Sequence, residues 1–290
     1  MLIGLSGRYS SNSSPDTNNP FYSISLSIVS LMLTLRISPT TLSAACLEMG
    51  KPFAFSPVPL HSHRSLITNL REAVTTLPIL TERGNGKVQV LVVGSVTPIP
   101  LADFQEEDCD AFYNYCFKPN VPHRVFYDVI PTANLMLVFG LPKTTCSAIE
   151  EAFGEVHYEA ALTPVLKQFV QKSSLSTEVQ LYIYAHEKTI DTVLIDNVRL
   201  LMINSYEVHA TSDAAYYAFN LLKQHGLSPE TTHIAVAGTP DLRNPLIAEL
   251  GKFAPRTVPI LPSIDFKHHE IASTEGMSYD LIAFLLGRKK

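Results

Sequence analysis

Hydrophobic and polar residues alternate along the early part of the chain with the period of two that is expected of β-strands. Tyr22, Ile24 and Leu26 are separated by Ser23 and Ser25, and a second alternating segment follows directly. The pattern predicts an antiparallel meander of three strands. These strands are Phe21–Ile28, Leu31–Ile37 and one within Ala44–Phe55 that is broken by Gly50 and Pro52.

Helical spacing of apolar residues replaces this alternation after the meander. Leu66, Leu70 and Ala73 fall on one face of a predicted helix, whereas Val88–Val93 is a run typical of a strand buried on both faces. The helices predicted for the rest of the first half are Arg64–Thr76, Ala102–Cys116 and Lys143–Phe153. The predicted strands are Val88–Val93 and Leu135–Phe139, and Gly84-Asn85-Gly86 is a predicted turn.

The same order of elements then begins again. Residues Val156–Leu162 are expected to form a link, and a second meander turns at Asp196-Asn197, a good hairpin dipeptide. The predicted strands are Val179–Ala185, Ile190–Ile195, Leu200–Val208, Ile234–Ala237 and Val258–Leu261. The predicted helices are Pro164–Lys172, Ser212–His225 with Ser212 as its N-cap, Asn244–Phe253 and Tyr279–Leu286.

Each half therefore combines an antiparallel triplet with parallel strands joined by helical crossovers. This order predicts an α/β fold of two tandem ribonuclease-H-like domains, each a mixed sheet flanked by helices, as in actin-like and sugar-kinase-like ATPases. We expect a disordered arm at residues 1–18, a first actin-like lobe at 19–155 and a second at 156–290.

Composition and charge exclude several classes of protein. The 290 residues are 46% hydrophobic and carry a net charge of −5, which supplies a core but lacks the basic surface of nucleic-acid binders. Met1–Asn19 lacks the basic start and apolar core of a signal peptide. Phe21–Ile37 is shorter than the ~20 apolar residues of a membrane helix, so we expect a cytoplasmic protein without membrane insertion.

The four cysteines fit this expectation. Cys46, Cys109, Cys116 and Cys146 form no CxxC pair, which indicates free, reduced thiols.

Several short stretches resemble the Bacteroidetes family called domain of unknown function 3822. They are Leu137–Gly140, Leu200–Glu207, the helix with Ala214, Tyr216 and Tyr217, His233–Gly238 and Glu275–Leu281. The resemblance runs from about Asn19 to the C-terminus and rests on the order and spacing of these stretches. It implies an actin-like ATPase fold with no assigned activity.

A nucleotide site of this fold uses a hairpin of the form Asp-x-Gly in each half, where glycine admits a phosphate and aspartate holds Mg²⁺. The first predicted hairpin turn, Ser27–Ser30, has neither residue. The second offers Glu187 and Lys188 without glycine. A third turn, with Gly238 and Thr239 between a strand and a helix, is the remaining place where a phosphate could approach. An ordinary turn is the competing interpretation for each.

Other constellations give weaker signals. The histidines at His61-x-His63 and at His268-His269-Glu270 supply two or three ligands each, and surface histidines are the alternative to a metal site. Neither Phe21–Ile28 nor Val179–Ala185 carries a carboxylate, which disfavours a nuclease. The segment around Cys146 lacks a hydrolase signature. Aromatic clusters form either core or a partner surface; they are Phe112, Tyr113, Tyr115 and Phe117, and Tyr216, Tyr217 and Phe219.

We therefore expect no catalytic residues, no metal and no cofactor. Binding of ATP and Mg²⁺ stays an alternative at four cleft positions, which are Glu187, Lys188, Gly238 and Thr239. The function predicted is that of a non-catalytic binding or scaffold protein with an unidentified protein partner and no nucleic acid. The alternative is an ATPase or kinase with an atypical phosphate site.

Overall fold

The architecture comes from a computed structural model, which describes residues 31–48, 51–61, 63–81 and 87–287. The predicted arm 1–18, strand Phe21–Ile28, hairpin Ser27–Ser30 and turn Gly84–Gly86 lie outside these residues.

The described elements alternate between strands and helices in both halves. The strands are β1 (Leu31–Ile37), β2 (Thr41–Glu48), β3 (Ala54–Pro59), β4 (Lys87–Val92), β5 (Val96–Pro100), β6 (His123–Ile130), β7 (Leu135–Pro142), β8 (Val156–Ala160), β9 (Val179–His186), β10 (Thr189–Asp196), β11 (Arg199–Glu207), β12 (His233–Gly238) and β13 (Thr257–Pro259). The α-helices are α1 (Leu66–Thr76), α2 (Pro78–Thr81), α3 (Cys109–Phe117), α4 (Lys143–Phe153), α5 (Leu162–Ser173), α6 (Thr211–Gln224), α7 (Pro240–Leu250), α8 (Pro262–Asp265) and α9 (Tyr279–Gly287).

The first half contains a five-stranded mixed sheet of order β3-β2-β1-β4-β8. Strand β1 pairs with β2 antiparallel and with β4 parallel, so both of its edges are occupied. The segment Leu31–Ile37 is therefore the first strand of the described meander, and its prediction as the second strand is wrong. Alternation identifies a strand but does not tell which strands become its neighbours, because that choice depends on long-range pairing.

The second half repeats this arrangement in the order β11-β10-β9-β12-β13. The five predicted strands are confirmed, with ends that shift by one or two residues. Helix α6 begins at Thr211, so the predicted N-cap at Ser212 is wrong. The carboxylate of Asp213 instead accepts hydrogen bonds from the backbone N–H groups of His209 (3.1 Å) and Ala210 (3.0 Å).

A three-stranded antiparallel sheet of order β5-β7-β6 is inserted after β4. The predicted strand Leu135–Phe139 exists within β7, but it belongs to this inserted sheet. The predicted link Val156–Leu162 is instead β8, which pairs with β4, and the start of α5. The first five-stranded sheet thus reaches Ala160, past the predicted end of the first lobe at residue 155. The predicted helix Ala102–Cys116 forms short 3₁₀ turns followed by α3.

Helices α5 and α9 pack against each other where the halves meet. One buried cluster includes Leu33 and Leu35 of β1, Phe169 of α5, Tyr184 of β9 and Tyr279 of α9. The two halves therefore share apolar packing, which positions the ends of β1 and β9 opposite each other.

The inserted sheet is joined to the first half through a partly buried carboxyl group on β6. The Oδ2 atom of Asp128 accepts hydrogen bonds from the backbone N–H of Ala160 (2.8 Å) and from Oγ1 of Thr163 (2.5 Å). Burial raises the pKa of Asp128 from 3.8 to about 7, although the hydrogen bond from Thr163 acts in the opposite direction.

This raised pKa predicts a pH dependence of stability. A carboxyl group whose folded-state pKa lies above its unfolded value contributes stability that is fully present below pH ~4 and is lost as pH rises through about 7. We therefore expect Asp128→Asn to gain stability relative to the wild type between pH 5 and 8, by on the order of 3 kcal/mol. Urea unfolding of both proteins across this range measures the difference, and a constant difference would contradict the assignment.

Candidate functional site

The tips of the two meanders meet between the halves. In the first, the backbone N–H of Ser38 donates to the carbonyl of Thr41 at 2.9 Å, which closes a turn at Pro39-Thr40. In the second, His186 pairs with Thr189 around the turn Glu187-Lys188. Glu187 has a φ of 52°, in the left-handed region that non-glycine residues seldom occupy.

The carboxylate of Glu187 is bound by the first half. Its Oε1 accepts from Nη1 of Arg36 (3.1 Å) and from Oγ1 of Thr41 (3.0 Å). Its Oε2 accepts from Oγ1 of Thr40 at 2.5 Å. Partial burial alone would raise the pKa of Glu187, but the hydrogen bond from Thr40 and the charge of Arg36 lower it below its ordinary value. The two meanders are thus joined by a charged contact at their tips.

Arg36 is the centre of this contact. Its Nε donates to both carboxylate oxygens of Asp280, at 2.9 and 2.8 Å, and its side chain is only 6% exposed. Asp280 lies in the first turn of α9, is fully buried, and also accepts from the hydroxyl of Ser278 and from the backbone N–H of Leu281. Burial alone would lower the pKa of Arg36, yet the adjacent carboxylate of Asp280 raises it above its ordinary value. The guanidinium is therefore permanently charged and satisfied by carboxylates.

Matching the two meanders by register shows what stands in place of a phosphate hairpin. An Asp-x-Gly sequence that ends at the turn would place its aspartates at Arg36 and Tyr184 and its glycines at Ser38 and His186. The hairpin predicted at Ser27–Ser30 lies outside the described residues, and the first described tip is Ser38–Thr41. Like the predicted turn, this tip contains neither glycine nor aspartate.

The four positions predicted from the sequence have different environments. Glu187 and Thr239 line one cavity of about 360 Å³, whereas Lys188 is exposed and borders the other side of the tip. Gly238 ends β12 with a φ of 140°, and a Cβ atom there would lie 2.5 Å from the carbonyl oxygen of Ala185. A close approach of β12 to β9 therefore explains the glycine without any ligand.

Three cavities border the Glu187 tip in the described part of the chain, of about 360, 230 and 410 Å³. The first has a largely apolar wall that includes Leu42, Val58 and Leu242. Arg36 and the carboxylates of Glu187 and Asp241 line it, and Arg36 is paired with the buried Asp280. His186 also lines it and is paired with Asp191. The balance of charge is negative, which opposes entry of a triphosphate.

A partly buried polar cluster lies behind the second tip, and sequence reasoning missed it. Nε2 of His186 lies 2.8 Å from Oδ2 of Asp191, whose Oδ1 accepts from the hydroxyl of Ser205 at 2.5 Å. Burial would lower the pKa of His186, but the charge of Asp191 raises it above its ordinary value. Because His186 and Ser205 both bind the aspartate rather than each other, this is not the arrangement of a nucleophilic triad. The only signal in the sequence was the polar Asp191 inside an apolar strand.

The weaker predicted sites stay apart. Among the described residues no group of three or more His, Cys, Asp or Glu side chains could hold a metal ion. Burial raises the pKa of the Cys146 thiol to about 11, which disfavours the nucleophilic thiolate. Within the same residues no helix has the length and apolar character needed to cross a membrane.

The aromatic clusters are divided between core and surface. Tyr113 is buried, whereas Phe112 and Tyr115 are exposed on α3. On α6, Tyr216 is 65% exposed, while Tyr217 stacks on Tyr206 with ring centroids 4.3 Å apart.

The duplicated sheets and the facing hairpins define a protein with an actin-like ATPase fold. A solved structure from Bacteroides thetaiotaomicron, described as a protein with an actin-like ATPase fold and unknown function, is similar with a TM-score of 0.74 and 23% identity; the match covers 86% of this chain and 97% of that one. The PilM-PilN type IV pilus biogenesis complex is similar with a TM-score of 0.56 and 14% identity, over 88% and 97% of the two chains.

The chain belongs to the family described as Protein of unknown function (DUF3822), which matches residues 26–256. The resemblance drawn from the sequence and the predicted fold class are thereby confirmed. No curated protein matches this chain.

Proposed function

We propose that this protein is a non-catalytic binding or scaffold protein that works in the cytoplasm with a protein partner. The observation that carries the proposal is the contact of Glu187 with Arg36, Thr40 and Thr41, which fills the space between the two hairpin tips. In the actin-like arrangement that space would receive the phosphates.

The chemistry of phosphoryl transfer supports this proposal. Such transfer depends on positioned donors and metal ions rather than on covalent steps by the protein. Removal of one preorganised donor alone costs roughly 10²–10³ in rate. Here Arg36 and Tyr184 stand where a magnesium-binding aspartate would be expected, and the Glu187 carboxylate would repel a phosphate.

A protein with this fold and without a working phosphate site can still bind a protein partner. The PilM-PilN structure is, by its description, a complex in type IV pilus biogenesis, and the analogy rests on fold alone. The exposed aromatic residues Tyr115 and Tyr216 are of the type enriched at protein interfaces.

An ATPase or kinase with an atypical phosphate site is the second candidate. The observation in its favour is the cavity of about 360 Å³ that reaches Thr239 at the start of α7. A nucleoside could enter this cavity, but its phosphates would have to displace Glu187.

Thermal unfolding with and without Mg-ATP distinguishes the two functions. For a scaffold we expect the melting midpoint to move by less than about 1 °C, because no phosphate cradle is open. A nucleotide at 100 times its dissociation constant would instead add ~2.7 kcal/mol, which raises the midpoint by roughly 5–10 °C.

The control is a pair of tryptophan substitutions near the two ends of β12. Thr239→Trp would fill the cavity, whereas Thr231→Trp lies at the exposed opposite end of the strand. A shift of 5 °C or more with Mg-ATP that is lost in Thr239→Trp and kept in Thr231→Trp would replace the scaffold proposal by the nucleotide-binding one.

A further inference from the structure

The groups that hold Glu187 form a receptor for a single oxyanion. The guanidinium Nη1 of Arg36 and the hydroxyl groups of Thr40 and Thr41 converge on two carboxylate oxygens, at 2.5 to 3.1 Å. Nε of Arg36 is already fixed by Asp280, so the remaining face of the guanidinium is oriented before any ligand arrives. A fixed guanidinium with two neutral donors is a set suited to a carboxylate or a phosphate.

The residue that fills this receptor lies on a hairpin turn and is only partly buried. Glu187 lies at the tip of a two-residue turn, its side chain is 21% exposed, and its φ of 52° is strained for a residue with a Cβ atom. Cavities lie on either side of the tip, so the side chain has space into which it can turn. Arg36 and Asp280, by contrast, are almost completely buried.

We propose that Arg36, Thr40 and Thr41 form an oxyanion-binding site in which the carboxylate of Glu187 is the resident ligand, and that a phosphate or carboxylate group binds there when Glu187 leaves. Glu187 thus acts as a competing ligand that is part of the chain. The site takes one anionic group, because Asp280 neutralises Arg36 and no second arginine or lysine lines the first cavity within the described residues.

The oxyanion-site proposal rests on the proposed function, because both start from hairpin tips that Glu187 closes in the wild type. The two can fail separately. Binding of Mg-ATP by the wild type would contradict the proposed function, whereas the present proposal is decided by variants of Glu187 and by anions without a nucleoside.

The test is removal of the resident carboxylate followed by addition of small oxyanions. Glu187→Gly suits the positive φ of this position, and Glu187→Asn also tolerates it while being too short to fill the site. Inorganic phosphate and acetate are the probes in separate titrations followed by thermal unfolding. At about ten times its dissociation constant, a bound anion is expected to raise the midpoint of either variant by ~3–5 °C, while the wild type stays within about 1 °C.

Two controls separate site binding from general salt effects. Glu230→Gly removes an exposed carboxylate outside the site and should respond as the wild type does. In Glu187→Gly/Thr40→Val the receptor loses the donor that bonds to Oε2, and the anion-dependent shift should fall by at least half.

The outcomes decide the proposal and the ligand class. A shift with phosphate alone assigns the site to phosphate groups, and a shift with acetate assigns it to carboxylates. If neither anion stabilises Glu187→Gly or Glu187→Asn beyond the wild type, the receptor does not exist. An equal shift in the wild type would show that Glu187 does not occupy the site.

Discussion

Asp280→Asn is expected to lower the free energy of unfolding by about 3–5 kcal/mol and the melting midpoint by ~6–20 °C. The substitution keeps the size of the side chain but removes the charge that faces Arg36. Arg36 is 6% exposed and would retain only the more distant Glu187 as a counter-ion. An incompletely compensated charge in the interior has a large desolvation penalty. Urea and thermal unfolding both measure this loss.

The matched control is an ion pair on the surface. Arg71 and Glu151 are 66% and 71% exposed, so Glu151→Gln should change stability by no more than ~1 kcal/mol. The double variant Arg36→Met/Asp280→Leu removes both buried charges and should recover most of the stability that Asp280→Asn loses. If Asp280→Asn is as stable as Glu151→Gln, the buried pair does not join the halves as described.

Gly238→Ala should destabilise the protein by about 3–5 kcal/mol, because the new methyl group has no space and the backbone is strained. Its Cβ atom would lie 2.5 Å from the carbonyl oxygen of Ala185, and the φ of 140° is unfavourable for alanine. The contact is with backbone, at the last residue pair between β9 and β12, so a side-chain rotation cannot relieve it.

Gly154→Ala isolates the effect of backbone strain. Gly154 has a φ of 77°, and nothing lies within 4 Å of a Cβ atom built there. We expect a loss of only ~1–2 kcal/mol in urea unfolding. Equal losses for the two variants would show that Gly238 is required for its φ alone and not for the approach of β12 to β9.

The sequence predicted most elements because their patterns are local. Strands β9 and β10 and helix α4 carry a periodicity that is visible within about ten residues, and their bounds were predicted to within a residue or two. Val156–Leu162 was missed because the alternation of Val156, Tyr158 and Ala160 spans only five residues, and its role as a strand depends on pairing with β4. Leu135–Phe139 was recognised as a strand, but membership of the inserted sheet depends on pairing with the preceding strand β6, which was not predicted, and with the more distant β5.

The candidate site was predicted only in part, for a related reason. Glu187 and Thr239 were named because they lie in turns that would face a nucleotide in an actin-like fold. Arg36 was only one residue of the predicted strand Leu31–Ile37, and Asp280 only one residue of the family-like stretch Glu275–Leu281. Nothing local marked them as partners.

The sequence by itself therefore determined the duplicated α/β order, the family and the absence of the Asp-x-Gly pattern from both meanders. Only the tertiary structure decided that Arg36 would be buried against Asp280, 244 residues away, and that Glu187 would close the tips. The physical reason is that periodicity reports which face of an element is apolar, whereas the pairing of charges depends on how the two halves pack together.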